Sequence, residues 1–167
     1  MALGILTHRT LTMALVGFAL TTLQPADAAT TKGKPCVTTQ EMAALDGRVL
    51  ESDLLVGALS CGQSEPYNSF MQKFRPVMTE RARTVQAMFQ RFYGKSSGRE
   101  FDAFVTRLGN DSALRSIQMQ LDFCRLTMDV FEEGEVTPAN AYDVLLSKPA
   151  FAGRHGYAAC GAGKKGG

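Results

Sequence analysis

Tryptophan is missing from all 167 residues, and histidine occurs only as His8 and His155. The first absence weakens any case for a sugar-stacking platform or an interfacial aromatic belt, both of which lean on the indole ring. The second leaves a single histidine beyond residue 28, so no multi-histidine metal centre can form there. Cys-x-x-Cys does not occur, and neither does the Gly-x-Ser-x-Gly elbow of serine hydrolases. Neither sign of charge dominates. The chain has 18 Lys and Arg against 16 Asp and Glu, a formal net charge of +2, which gives no electrostatic reason to expect a nucleic-acid partner. Past residue 28 no apolar run approaches the roughly 18 residues of a membrane-spanning helix. These absences point away from an enzyme with a familiar site. No catalytic residue, no metal and no cofactor is expected.

What is present begins with an export pattern. His8 and Arg9 precede an apolar stretch, Leu11 to Leu23, and Ala26-Asp27-Ala28 puts small residues at the two positions that a signal peptidase reads. That stretch as a helix spans about 20 Å, short of the roughly 30 Å hydrocarbon core, so it reads as a cleaved signal peptide and not as an anchor. Cleavage is expected after Ala28. It removes Arg9 and Asp27 together and leaves the net charge at +2. The expected organisation is a signal peptide over 1–28, a flexible lead-in over 29–36, a single helical domain over 37–160 and a disordered tail over 161–167. The expected location is the periplasm or the external medium.

Helical patterns fill the domain. Thr38 and Glu41 make a capping-box pattern ahead of Met42, Leu45, Val49, Val56 and Leu59. Their spacings of three, four and seven predict a helix over 39–60, stopped by Gly62. Ser64, Glu65 and Pro66 read as a second helix start. Tyr67, Phe70, Phe74, Val77, Val85, Met88, Phe89 and Phe92 supply its apolar face, and Gly94 its end. Pro76 is expected to kink or break this helix near 72–76. Ser97 and Glu100 repeat the capping box. Phe101, Phe104, Val105 and Leu108 then share a face with Met119, Phe123, Leu126 and Val130, across Gly109. Leu114, Ile117, Leu121, Cys124, Met128 and Phe131 form a second stripe. One long helix over 98–133 is predicted, bent at most near Gly109, apolar on two faces and therefore packed from both sides. Gly134 is expected to end it. Thr137-Pro138 starts a short last helix that stops before Pro149. The fold class is all-α: an antiparallel bundle of three long helices plus a short fourth.

The four cysteines, Cys36, Cys61, Cys124 and Cys160, all lie beyond the signal peptide. An even set in an exported chain reads as disulfides. Cys36 and Cys61 bracket the first helix, about 33 Å apart, too far for the roughly 7 Å that a bridge needs between Cα atoms. Two connectivities remain. A continuous third helix carries Cys124 to the height of Cys61, which favours Cys61–Cys124 with Cys36–Cys160. A chain reversal at Gly109 would instead send Cys124 to the base, next to Cys36.

Leu54-Leu55-Val56-Gly57-Ala58-Leu59-Ser60-Cys61-Gly62, Tyr67-Asn68-Ser69-Phe70 and Phe123-Cys124 together resemble a pattern in small exported alphaproteobacterial proteins of unknown function. The resemblance runs from about Cys36 to Phe131. It implies an exported helical domain and assigns no catalytic or binding residue.

Charge supplies the remaining candidates. Lys73, Arg75, Arg81, Arg83, Arg91, Lys95 and Arg99 stand against only Glu80 between residues 73 and 99. Such a helix can attract the phosphate or carboxylate groups of an anionic envelope component, or simply be a solvated or internally paired face. Lys73, Arg75, Arg81, Arg83 and Arg91 are the candidate anion-binding residues. Asp129, Glu132, Glu133 and Glu135 form an acidic helix end without the alternating ligands of a calcium loop, and read as a solvated cluster with a basic partner nearby. His155, in a glycine-rich segment, reads as a solvent-exposed loop residue. Methionines 42, 71, 78, 88, 119 and 128 read as core. The first functional expectation is a non-enzymatic binding or structural protein acting at anionic envelope components. The second is a holdase or assembly factor for exported proteins with a Met- and Phe-lined groove. The third is an enzyme whose site carries no recognisable motif.

Overall fold

The computed structural model describes residues 36–161. The expected signal peptide with its cleavage site, the expected lead-in up to residue 35 and the expected tail from residue 162 lie outside the described residues. Within them the architecture is an all-α antiparallel bundle held by two disulfides.

Helix α1 (Thr39–Ser60) starts at the predicted box. The Thr38 hydroxyl accepts from the Glu41 N–H at 3.3 Å, and the Glu41 carboxylate accepts from the Thr38 N–H at 2.8 Å. Gly62, with φ 69°, ends it, and the Gln63 N–H reaches back to the Ala58 carbonyl at 3.0 Å. Helix α2 (Ser64–Tyr93) runs through Pro76 without interruption, contrary to the expected break. Pro76 and Gln72 are both exposed, so the carbonyl that loses its donor faces water rather than the core. A 3-10 turn, Gly94–Ser96, leads into α3 (Ser97–Gln118). The second capping box does not form. Ser97 is already helical, and the Glu100 carboxylate accepts from Arg99 at 3.0 Å.

The predicted helix over 98–133 is two helices. It is continuous at Gly109 and breaks at Met119 (φ −132°, ψ 45°), ahead of α4 (Gln120–Val136). Side-chain register shows the reversal. Going up α1, Asp53 meets Ser112 and Arg115 of α3, whereas Cys61 joins Cys124 and Gly57 abuts Thr127, so α4 descends as α3 ascends. Length gives the reason. Helices α1 and α3 have 22 residues each, so Met119 lies level with the end of α1. A helix continued to 133 would overshoot by about 20 Å and leave Phe123, Val130 and Phe131 in water. Returned along the bundle, all three are buried.

Helix α4 runs past Gly134, where a stop was expected. A Cβ at Gly134 would lie 2.7 Å from the Phe70 ring, so this glycine serves close packing of α4 on α2. Thr137 does not cap a new helix. Its hydroxyl donates to the Glu133 carbonyl at 2.8 Å. The predicted last helix is a 3-10 turn, Ala139–Ala141, followed by the single-turn α5 (Asp143–Leu146).

Residues 147–161 fold back onto the bundle. Phe151 is fully buried, Val37 and Ala159 form a lone parallel bridge, and Cys36–Cys160 closes the loop with Cα atoms 4.8 Å apart. Cys61–Cys124 closes the other end at 5.6 Å. Both bridges are the favoured ones. Phe74, Phe89, Phe104, Tyr142 and Phe151 are all in the buried core, where Phe74 packs on Tyr142 and Phe89 on Phe104.

Candidate functional site

The cations of α2 divide into two groups. Lys73 donates to the carbonyls of Gly134 and Glu135 at 2.8 and 2.7 Å, capping the end of α4. That is the basic partner the acidic helix end needs. Lys148 adds a contact to Glu133 at 2.6 Å, while Asp129, Glu132 and Glu135 are exposed. Arg81 pairs with Asp143, its guanidinium 5.4 Å from the Tyr142 ring centroid. Gly47 opens the notch for it: a Cβ there would lie 3.4 Å from the Arg81 side chain. Arg91 bonds Glu41 at 2.6 Å and lies over Phe92. Burial pushes the Glu41 carboxyl up, but bonds from Thr38 and Arg91 bring it below its ordinary range. Lys73, Arg81 and Arg91 thus hold the bundle together.

Arg75, Arg83 and Lys95 are exposed and have no ion-pair partner among the described residues. At about 100° per residue, Arg75, Arg83, Gln86 and Gln90 fall within an arc of roughly 80°, and between Asn68 and Gln90 that arc carries no carboxylate. Arg83 and the two glutamines also line a groove of about 460 Å³ between α2 and α3. Its floor is Phe89 and Phe101, edge to face with centroids 5.5 Å apart, and its far wall is Ser97 and Gly98 at the start of α3. A cation, two amides and an aromatic floor make a surface that can hold an anionic group and the apolar body attached to it.

Sequence reasoning did not find the two glutamines or the groove. It counted charge along α2 without assigning azimuth. On the same helical projection Arg81 falls among the apolar residues, Lys73 and Arg91 at one edge of them, Arg75 at the other edge, and Arg83 opposite.

His155 is not a surface residue. It is fully buried, its Nδ1 accepts from the Tyr157 N–H at 3.0 Å, and its Nε2 lies 3.5 Å from Asp46 Oδ1. Asp46 also accepts from the Gly153 N–H at 2.8 Å, and Arg107 donates to the His155 carbonyl at 3.2 Å. Burial lowers the His155 pKa, Asp46 opposes this and Arg107 adds to it. Next to it, the fully buried Asp53 accepts from Ser112, Arg115 and Arg154 at 2.6, 2.7 and 2.6 Å. Arg154 reaches on to Asp111. These contacts anchor the segment that glycine content alone marks as loose.

The second apolar stripe is not packed on both sides. Leu114, Ile117, Leu121 and Met128 are exposed, Ile117 at 78% and Leu121 at 82%. Met119 is exposed as well, so of the six methionines Met42, Met71, Met78 and Met88 are the ones in or against the core. No described helix is long and apolar enough to cross a membrane. Comparison with protein-family models, with curated proteins and with solved structures finds no match to this chain.

Proposed function

We propose that this is an exported, non-enzymatic helical binding protein that docks anionic groups of an envelope component on the outer sector of α2. The observation that carries this reading is the separation of the α2 cations. Three are committed to holding the bundle, while Arg75 and Arg83 of α2, with Lys95 of the following 3-10 turn, are exposed without an ion-pair partner among the described residues, and Arg83 lines a groove with an aromatic floor. An unbalanced cationic sector raises the local concentration of anions and is screened by salt. Two disulfides fit the oxidising compartment that the signal-peptide pattern implies. The test is binding to heparin and to lipopolysaccharide at rising salt, for the wild type and for Arg75→Ala/Arg83→Ala/Lys95→Ala. Weaker binding and a shallower salt dependence in the triple variant support the reading. Equal binding in both removes it.

The exposed apolar residues Leu114 and Ile117 on α3 and Leu121 and Met128 on α4 favour a second reading, a holdase or assembly factor for exported proteins. The pure protein would then suppress aggregation of an unfolded client, and Ile117→Ser/Leu121→Ser would lose that effect. Suppression by neither protein rejects this reading.

A further inference from the structure

A second cavity lies away from the cationic sector, where α1, α2 and α3 meet. It has a volume of about 280 Å³. Its lining mixes apolar residues, Leu55, Met71, Val105 and Leu108, with polar ones, Arg48, Glu51, Ser52 and Tyr67. Gly109 lies at its edge.

The polar part of the lining is charge-balanced. Arg48 and Glu51 form an ion pair one turn apart on α1, with the Glu51 side chain only 12% exposed. The Ser52 hydroxyl is 3.1 Å from that of Ser112. The half-buried Tyr67 presents its hydroxyl to solvent, and the buried Arg48 Nε has no hydrogen-bond partner among the described residues. Burial raises the Glu51 carboxyl above its ordinary range, with Arg48 and then Arg81 opposing, and it raises the Tyr67 hydroxyl too. At neutral pH the tyrosine is therefore a neutral donor.

Gly109 has no packing role in the protein itself. A Cβ at Gly57 or Gly134 would collide with Thr127 or Phe70, but one at Gly109 would meet nothing within 4 Å. A glycine inside a helix disfavours that helix relative to alanine; Gly98, also in α3, is equally unobstructed, but of the two only Gly109 lines this hollow, where a side chain would fill it. Leu55, also in the lining, is 45% exposed. An exposed apolar side chain, an unobstructed glycine, a half-buried ion pair and a tyrosine hydroxyl line one hollow.

We infer that this hollow is a binding site for a small uncharged amphiphile whose head is a primary carboxamide. A charged head would leave one charge in excess beside a half-buried, already balanced pair. A carboxamide matches both members: its N–H donates to Glu51, and its carbonyl accepts from Arg48 or from the Tyr67 O–H. The aliphatic body covers Leu55 and packs on Val105 and Leu108. The volume sets the size, since a cavity of about 150 Å³ already accepts benzene. A head with six to eight carbons fits.

The test is a protein-observed NMR titration with hexanamide, hexylamine and hexanoate. The expected result is that hexanamide binds at least tenfold more tightly than either charged analogue, shifting amide signals around Glu51, Tyr67 and Gly109. Tyr67→Phe, which keeps the ring, should weaken hexanamide about threefold to tenfold, the scale of one neutral hydrogen bond. Gly109→Leu should fill the hollow and abolish binding while the protein stays folded, because leucine is the better helix former. Absence of hexanamide binding, or binding undiminished in Gly109→Leu, overturns the site. Equal binding of the amine or the carboxylate overturns the ligand class.

Discussion

Glycines that look alike in the sequence do different work at the residue scale. Gly57 and Gly134 let helices approach, with a Cβ placed at 2.6 Å from Thr127 and 2.7 Å from Phe70. Alanine at either position should destabilise the fold by about 1–3 kcal/mol, the range for overpacking. Alanine at Gly109 should stabilise it by about 1 kcal/mol. Urea denaturation of the three variants separates the two classes. Asp53 is the most committed charge. Asp53→Ala leaves Ser112, Arg115 and Arg154 without their common acceptor and should cost about 3 kcal/mol, as for other broken buried pairs. His155 sets a pH dependence. Its folded pKa lies below its unfolded value near 6.5, so the unfolded chain binds more protons in the window between the two. Stability is full above about pH 6.5 and falls as pH drops through the folded pKa. Melting curves from pH 7.5 down to 5 should show that loss, and His155→Phe should flatten it. None of this was legible in Gly153-Arg154-His155-Gly156, where two glycines suggest solvent. The anchors are partners more than a hundred residues earlier, at Asp46 and Asp53.

At the scale of elements, α1 and both ends of α2 were readable because their signals are local, whereas the passage of α2 through Pro76 was not. A capping box, one apolar face and a glycine stop all act within a turn or two of the chain. Continuity through Gly109 was expected and is found, but the face shared with Phe123 and Val130 that suggested it does not exist, since both lie on the returning α4. The break at Met119 was not readable. Gln118-Met119-Gln120 contains no glycine, proline or cap, and the helix stops there because α1 and α2 offer nothing further to pack against. The favoured disulfides survive that error, since a reversal at the level of Ser60 leaves Cys124 near Cys61, which a reversal at Gly109 would not. Each bridge has its own expected effect. Cys61→Ser/Cys124→Ser should lower stability by about 2–4 kcal/mol. Cys36→Ser/Cys160→Ser should release the returning segment, so that amides from Phe151 to Cys160 exchange rapidly while those of α1 to α4 stay protected. Hydrogen exchange followed by mass spectrometry reads both.

For the whole molecule, the sequence pattern conveyed a basic helix but not its division. A formal net charge of +2 conceals a bundle whose cations mostly answer internal needs, a carbonyl cap at α4, a partner for Asp143 and one for Glu41. What remains outward is a narrow sector on α2 beside the α2/α3 groove. Burial and pairing, which only the folded chain reveals, decide which arginine is structural and which is free to bind. A crossed comparison of melting temperature and heparin affinity in two triple variants tests this division of the cations most directly. Changing Lys73, Arg81 and Arg91 to alanine should lower the melting temperature and leave the affinity of the folded fraction close to wild type. Changing Arg75, Arg83 and Lys95 to alanine should leave the melting temperature within a degree or two and weaken heparin binding about tenfold or more, on the order of 0.5–1 kcal/mol per exposed charge. Affinity lost with the first set and kept with the second would contradict it.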